Sequence, residues 1–70
     1  MKLLVIGPQT RTESALRVLA REGIRASRYK VTETGEGCMH AAAVAGFDAR
    51  RAADILAKNG IRVRLVMDKR

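Results

Sequence analysis

The chain has 70 residues, one cysteine and a formal net charge of +7. A chain of this length forms one domain with a thin core, so we expect a single domain over residues 1–70. A lone cysteine excludes an internal disulfide, and the apolar runs are too short to cross a bilayer. The unpaired thiol and the lack of an export signal predict a cytoplasmic protein.

The first elements are a strand and a helix. Residues 3–6 form a short apolar run that Gly7 and Pro8 close, which is typical of a buried strand and predicts one over residues 2–6. Thr10 and Glu13 fit a capping box, in which each side chain bonds the other residue's backbone N–H, and Thr12 is the alternative cap. The pattern therefore predicts a helix over residues 11–22.

Two strands follow the first helix. Gly23 ends the helix as a residue in the left-handed conformation. Residues 24–31 alternate imperfectly between apolar and polar, which an edge strand tolerates. Residues 38–45 are rich in alanine, a strong helix former, but the flanking glycines and the order of the elements favour a strand.

The last part repeats the pattern of a helix followed by a strand. Asp48 can cap a helix over residues 48–58, and Gly60 ends it. Residues 61–67 alternate between apolar and polar almost throughout, which predicts a half-buried strand.

The two halves match at an offset of 37 residues, most clearly where Gly-Ile-Arg stands at residues 23–25 and again at residues 60–62. This match supports two β-α-β units in the order β-α-β-β-α-β. The sequence therefore predicts an α+β fold, a ferredoxin-like sandwich with one antiparallel sheet and both helices on one face. The second face of the sheet is then open to water, to a ligand or to a second subunit, and a homodimer would help so small a domain.

One segment holds the only cysteine and the only histidine, directly after two glycines. Cys38 and His40 would share a face of an extended strand, so the imidazole could stabilise a thiolate. Gly35 and Gly37 can turn backbone N–H groups toward an anion. We predict Cys38 as a carrier thiol, His40 as its thiolate partner and the two glycines as an anion-binding loop. The same residue types also suit a small buried cysteine and a solvent-facing imidazole.

Metal binding by this segment is disfavoured. Cys38, Met39 and His40 offer soft donors that suit copper(I). However, Met39 would point to the opposite face of the strand, and no second cysteine stands at zinc-site spacing. We expect no metal and no cofactor.

The alternative hypothesis is a basic binding face. Its candidate residues are Arg25, Arg28 and Lys30 on the second strand, with Arg62 and Arg64 on the fourth. RNA-recognition sheets of this topology stack bases on aromatic side chains, and here Tyr29 is the one aromatic residue on a predicted strand. Nucleic acid would therefore be held through its phosphates alone.

The layout resembles the Se/S carrier protein-like family of small domains of uncharacterised function. The matching features are a helix ending before Gly23, a loop with the Gly37-Cys38 pair and a second helix ending before Gly60. In the family pattern glycine follows the cysteine, whereas here Met39 follows and Gly37 precedes. The resemblance implies a sulfur or selenium carrier role for Cys38 and a transfer protein as its partner.

We therefore expect a cytoplasmic carrier or redox thiol that uses Cys38. The alternative is a basic protein- or nucleic-acid-interaction module, dimeric or monomeric. Both hypotheses describe a carrier or binding protein more readily than an enzyme, because so short a chain offers little substrate cleft.

Overall fold

The computed structural model describes residues 1–31 and 39–69. The elements are β1 (Lys2–Gly7), α1 (Gln9–Arg21), β2 (Ala26–Val31), β3 (Met39–Val44), a single 3₁₀ turn (Gly46–Asp48), α2 (Ala49–Lys58) and β4 (Leu65–Asp68). The four strands form one sheet in the order β2-β3-β1-β4, and all neighbouring strands are antiparallel. The predicted α+β, ferredoxin-like order is confirmed.

The alanine-rich segment is a strand. β3 lies inside the sheet, where Ala41 pairs with Val5 of β1 on one side and with Tyr29 of β2 on the other. Its residues from Ala41 to Val44 are all buried. Backbone pairing on both edges and burial on both faces outweigh the helix propensity of alanine, which is at most about 1 kcal/mol per residue.

Both helices end in the same backbone motif. Gly23 and Gly60 have φ of 77° and 74°. The N–H of Ile24 donates to the Leu19 carbonyl at 2.9 Å, and the N–H of Ile61 donates to the Leu56 carbonyl at 2.8 Å. These are Schellman motifs, in which the residue after the glycine packs back on the helix. The Gly-Ile pair that occurs at residues 23–24 and again at residues 60–61 therefore marks the two copies of this motif.

The predicted capping box is wrong. α1 begins at Gln9, with Pro8 at the N-cap and no side-chain cap bond. The Thr12 hydroxyl donates to the Pro8 carbonyl at 3.0 Å, and Glu13 forms an ion pair with Arg28 at 2.6 Å. Asp48 does precede α2, but its side chain makes no cap bond either.

The second and fourth strands begin later than predicted. The second begins at Ala26 rather than at residue 24, because Ile24 belongs to the helix end. The fourth begins at Leu65 rather than at residue 61. Ile61 and Val63 pack on the helix side of the sheet, whereas Met67 packs on the other side, so the alternation slips just before Leu65.

The sheet has an apolar core on each face. The helix-side core consists of Leu4, Ile6, Ala15, Val18, Leu19, Ile24, Ala42, Val44, Ala52, Leu56 and Ile61. The far-face core consists of Leu3, Val5, Val31, Met39, Ala41 and Ala43, with Tyr29 and Met67 packed against it. The second face, predicted to be open, is therefore apolar and buried at its centre. In the described residues, no helix is long and apolar enough to span a membrane.

Candidate anion-binding site

The predicted thiol site is only partly within the described residues. Gly35, Gly37 and Cys38 lie outside them, so the pairing of Cys38 with His40 stays a prediction. His40 is the second residue of β3 and lies between Lys30 of β2 and Gly7 of β1 in the sheet. It shares the helix face with the buried Ala42 and Val44, since strand residues two apart point the same way.

One ring nitrogen of His40, Nδ1, is buried without a hydrogen-bond partner among the described residues. A buried polar atom without a partner costs about 1–3 kcal/mol in desolvation. Such an atom is uncommon in a folded protein and is a candidate contact for a ligand or a neighbouring donor.

Gly7 forms the corner between β1 and α1. Its φ is 113°, a conformation that only glycine adopts without strain. A Cβ at this position would lie 3.4 Å from Nη1 of Arg64. The backbone N–H of Arg64 donates to the Val5 carbonyl at 2.8 Å. At this corner, His40 therefore lies on one side of β1 and Arg64 lies on the other.

Three arginines surround a cleft beside this corner. The cleft has a volume of about 230 Å³ and is lined by Ile6, Pro8, Arg11, Arg62 and Arg64. We call it the arginine cleft. Within residues 1–31 and 39–69, the ion pairs join Lys2 to Asp68 and Arg28 to Glu13. None of the three cleft arginines forms an ion pair with a described carboxylate.

The start of α1 adds to the positive potential of the cleft. The first N–H groups of a helix have no acceptor within the helix, and the helix dipole places partial positive charge there. Here Pro8 provides no capping side chain, and the first turn contains no acidic residue. Arg11 instead puts a cation in that turn, where an anion would be favoured. Guanidinium groups bind phosphate and carboxylate oxygens in a forked, two-bond geometry, so the arginine cleft is suited to a small anionic group.

The predicted basic residues do not form one surface. Arg62 and Arg64 line the arginine cleft next to β4, whereas Arg28 and Lys30 lie on β2 at the opposite edge of the sheet. Arg28 is paired with Glu13. Arg25 precedes β2 and lines a different cleft, together with Met1 and the exposed Phe47.

Arg11 is the cleft residue that sequence reasoning missed. The helix predicted over residues 11–22 places it at the first helical position, with no role in a site. The signal in the sequence is an arginine in the first turn of a helix that follows Gly7 and Pro8. A cation is unfavourable there, because the helix dipole places partial positive charge at that end.

No three His, Cys, Asp or Glu side chains of the described ranges are grouped to hold a metal ion. Scans of the chain against protein-family models, against curated proteins and against solved structures find no match. The resemblance to the Se/S carrier protein-like family therefore stays a prediction from layout.

Proposed function

We propose that this chain is a small, non-catalytic binding module that holds the phosphate groups of a nucleic acid in the arginine cleft. The observation that carries the proposal is the presence of three arginines around one cleft, with no carboxylate partner among the described residues. The net charge of +7 adds long-range attraction for a polyanion.

The binding would be electrostatic and would not depend on base sequence. Phosphate contacts position a protein on nucleic acid without reading its bases. None of the described residues that line the cleft is aromatic, so base stacking, a common means of reading single strands, has no support from them. The reducing compartment that an unpaired cysteine favours is the cytoplasm, where RNA is abundant.

Fluorescence anisotropy with labelled RNA and DNA, at several salt concentrations, tests this proposal. With one phosphate at each arginine, the logarithm of the binding constant should fall with the logarithm of salt concentration with a slope of about −3 for duplex DNA, since each contact contributes about −0.9. The Arg62→Ala, Arg64→Ala double variant should reduce that slope by about 2.

Arg25→Ala with Arg50→Ala is the matched control, because it removes the same charge from exposed positions that do not line the arginine cleft. The control should bind nearly as well as the unchanged protein. Equal losses in both double variants would show general charge attraction and would contradict a site at the cleft. If an acidic peptide is bound and nucleic acid is not, the partner class is wrong.

A second candidate function is the carrier thiol at Cys38. Its support in the described residues is the unpartnered Nδ1 of His40, two positions further along the chain, which could hydrogen-bond a thiol or thiolate. In this role Cys38 would carry sulfur or selenium and receive it from a transfer protein, as the family resemblance implies. A cysteine that does this must be reachable by solvent and reactive as the thiolate.

Alkylation with iodoacetamide across a pH series tests the carrier role. An activated Cys38 should react with a midpoint below the value of roughly 8.5 for a free cysteine. His40→Asn should move the midpoint toward that value, while Arg25→Ala should leave it unchanged. A midpoint at or above the free value, or no reaction in the folded protein, would reject the carrier role and leave nucleic-acid binding unaffected.

A further inference from the structure

The two edge strands of the sheet differ in how they are protected. β2 and β4 are the edges, and an edge strand with unpaired backbone groups is a template for another strand. β2 carries the exposed Ser27, Arg28 and Lys30, and such charged side chains discourage pairing. β4 instead exposes apolar side chains, because Leu65 and Val66 are 48% and 49% exposed.

The backbone of β4 has a defined outward direction. The N–H of Lys69 donates to the Met1 carbonyl at 2.9 Å, and the register pairs Leu3 with Met67 and Val5 with Leu65. In an antiparallel ladder, alternate residues bond to the same neighbour. Odd-numbered residues of β4 therefore bond to β1, and the N–H and C=O of Val66 and Asp68 face outward.

The sequence of this edge is complementary to itself. Residues 64–68 read Arg-Leu-Val-Met-Asp, which is a cation, three apolar residues and an anion. A second copy of the same segment, running antiparallel, sets the cation of each copy opposite the anion of the other. The three apolar positions then face one another.

We infer that β4 is a self-association surface, and that two copies of this chain pair through it across a twofold axis at Val66. Val66 lies opposite the partner's Val66 as the hydrogen-bonded pair that the outward backbone groups require. Leu65 lies opposite the partner's Met67. The side chain of Arg64 lies opposite that of the partner's Asp68, while the backbone N–H of Arg64 keeps its bond to the Val5 carbonyl. The two sheets become one sheet of eight strands.

Neighbouring registers are less favourable. A shift of two residues, the smallest that keeps the outward groups paired, places Val66 opposite Arg64 or Asp68 of the partner. Either shift sets an apolar residue against a charge. In the proposed register, Leu65 and Met67 also continue the far-face core across the interface. Because the strand is short, the interface is of the small class that dissociates on dilution.

Sedimentation velocity over a wide concentration range tests the inference, on the full chain with Cys38→Ser so that disulfides cannot form. We expect a monomer–dimer equilibrium. Val66→Lys should abolish the dimer, because it sets two cations opposite each other at the axis. Ser27→Lys, which introduces the same cation on the β2 edge, should leave the dimer intact.

A crosslinking experiment shows which edge strand forms the interface. In the Cys38→Ser background, Val66→Cys should crosslink to itself with a short bismaleimide, whereas Ser27→Cys should not. Circular dichroism should show both lysine variants folded, since both positions are exposed. A monomer at every concentration, a dimer that survives Val66→Lys, or crosslinking through residue 27 would overturn the inference. Nucleic-acid binding is measured separately, on the monomer at low protein concentration, because Arg64 lines the arginine cleft and also lies opposite the partner's Asp68 in the dimer.

Discussion

Lys2 and Asp68 lie opposite each other on β1 and β4 and form an ion pair. The hydrogen bond from Lys2, and then its charge, hold the pKa of the Asp68 carboxyl below its usual value. The folded state therefore binds this proton less tightly than the unfolded state does. The pair stabilises the fold above the ordinary aspartate pKa of about 3.9, and this contribution is lost as the pH falls through the lowered value.

We predict that Lys2→Met returns the pKa of Asp68 to the ordinary range and removes this part of the acid sensitivity. An NMR titration of the side-chain carboxyl carbon measures the pKa, and urea unfolding at a series of pH values below about 5 measures stability. Because both side chains are solvent-exposed, the stability change should be small. Asp54→Asn is a control on α2, away from the pair. An unchanged Asp68 pKa in Lys2→Met would show that the pair does not persist in solution.

The helix ends are the elements on which the rest of the chain depends. Each Schellman motif turns the chain from a helix toward the next strand and buries an isoleucine beside the leucine that accepts its N–H. In the part of the chain that the structure describes, nothing lies within 4 Å of a Cβ built at Gly23 or at Gly60. A substitution at either glycine therefore tests backbone conformation alone.

We predict that Gly23→Ala and Gly60→Ala each lower the free energy of unfolding by about 1–2 kcal/mol, the cost of a left-handed residue with a Cβ. Gly46→Ala is the matched control, because a Cβ there also meets nothing and its φ is not positive. It should be neutral or stabilise by about 0.4–1 kcal/mol. Urea unfolding measures all three variants. Equal effects at residues 23 and 46 would contradict the role of the left-handed turn.

Sequence patterns located the elements better than their ends. The glycines at residues 23 and 60 were predicted as helix ends because a left-handed residue has few alternatives to glycine. The start of β4 was not predictable, because residues 61–64 alternate as a strand does while the chain is still completing the helix-end motif. The capping box failed because α1 begins at Gln9, which places Thr10 inside the first turn, and because Glu13 pairs with Arg28 instead.

At the scale of the whole molecule, the order of the elements could be read from the pattern, but the arginine cleft could not. Two helix-to-strand repeats admit few sheet orders, and the ferredoxin-like order is one that buries both helices on one side. The cleft instead joins Arg11 from the start of α1 to Arg62 and Arg64 from the approach to β4. Only the folded topology brings residues so distant in the chain together. The predicted basic face also included Arg28 and Lys30, but β2 and β4 are the two outer strands, so these residues lie apart from Arg62 and Arg64.

A contact between Tyr29 and Lys69 can be followed by spectroscopy. Tyr29 is the only tyrosine, and the chain has no tryptophan. The ammonium of Lys69 lies 4.3 Å from the centre of its ring, so one chromophore on β2 senses the residue that follows β4. Its near-ultraviolet signal can therefore follow detachment of the last strand separately from melting of the helices, which dominates the far-ultraviolet signal.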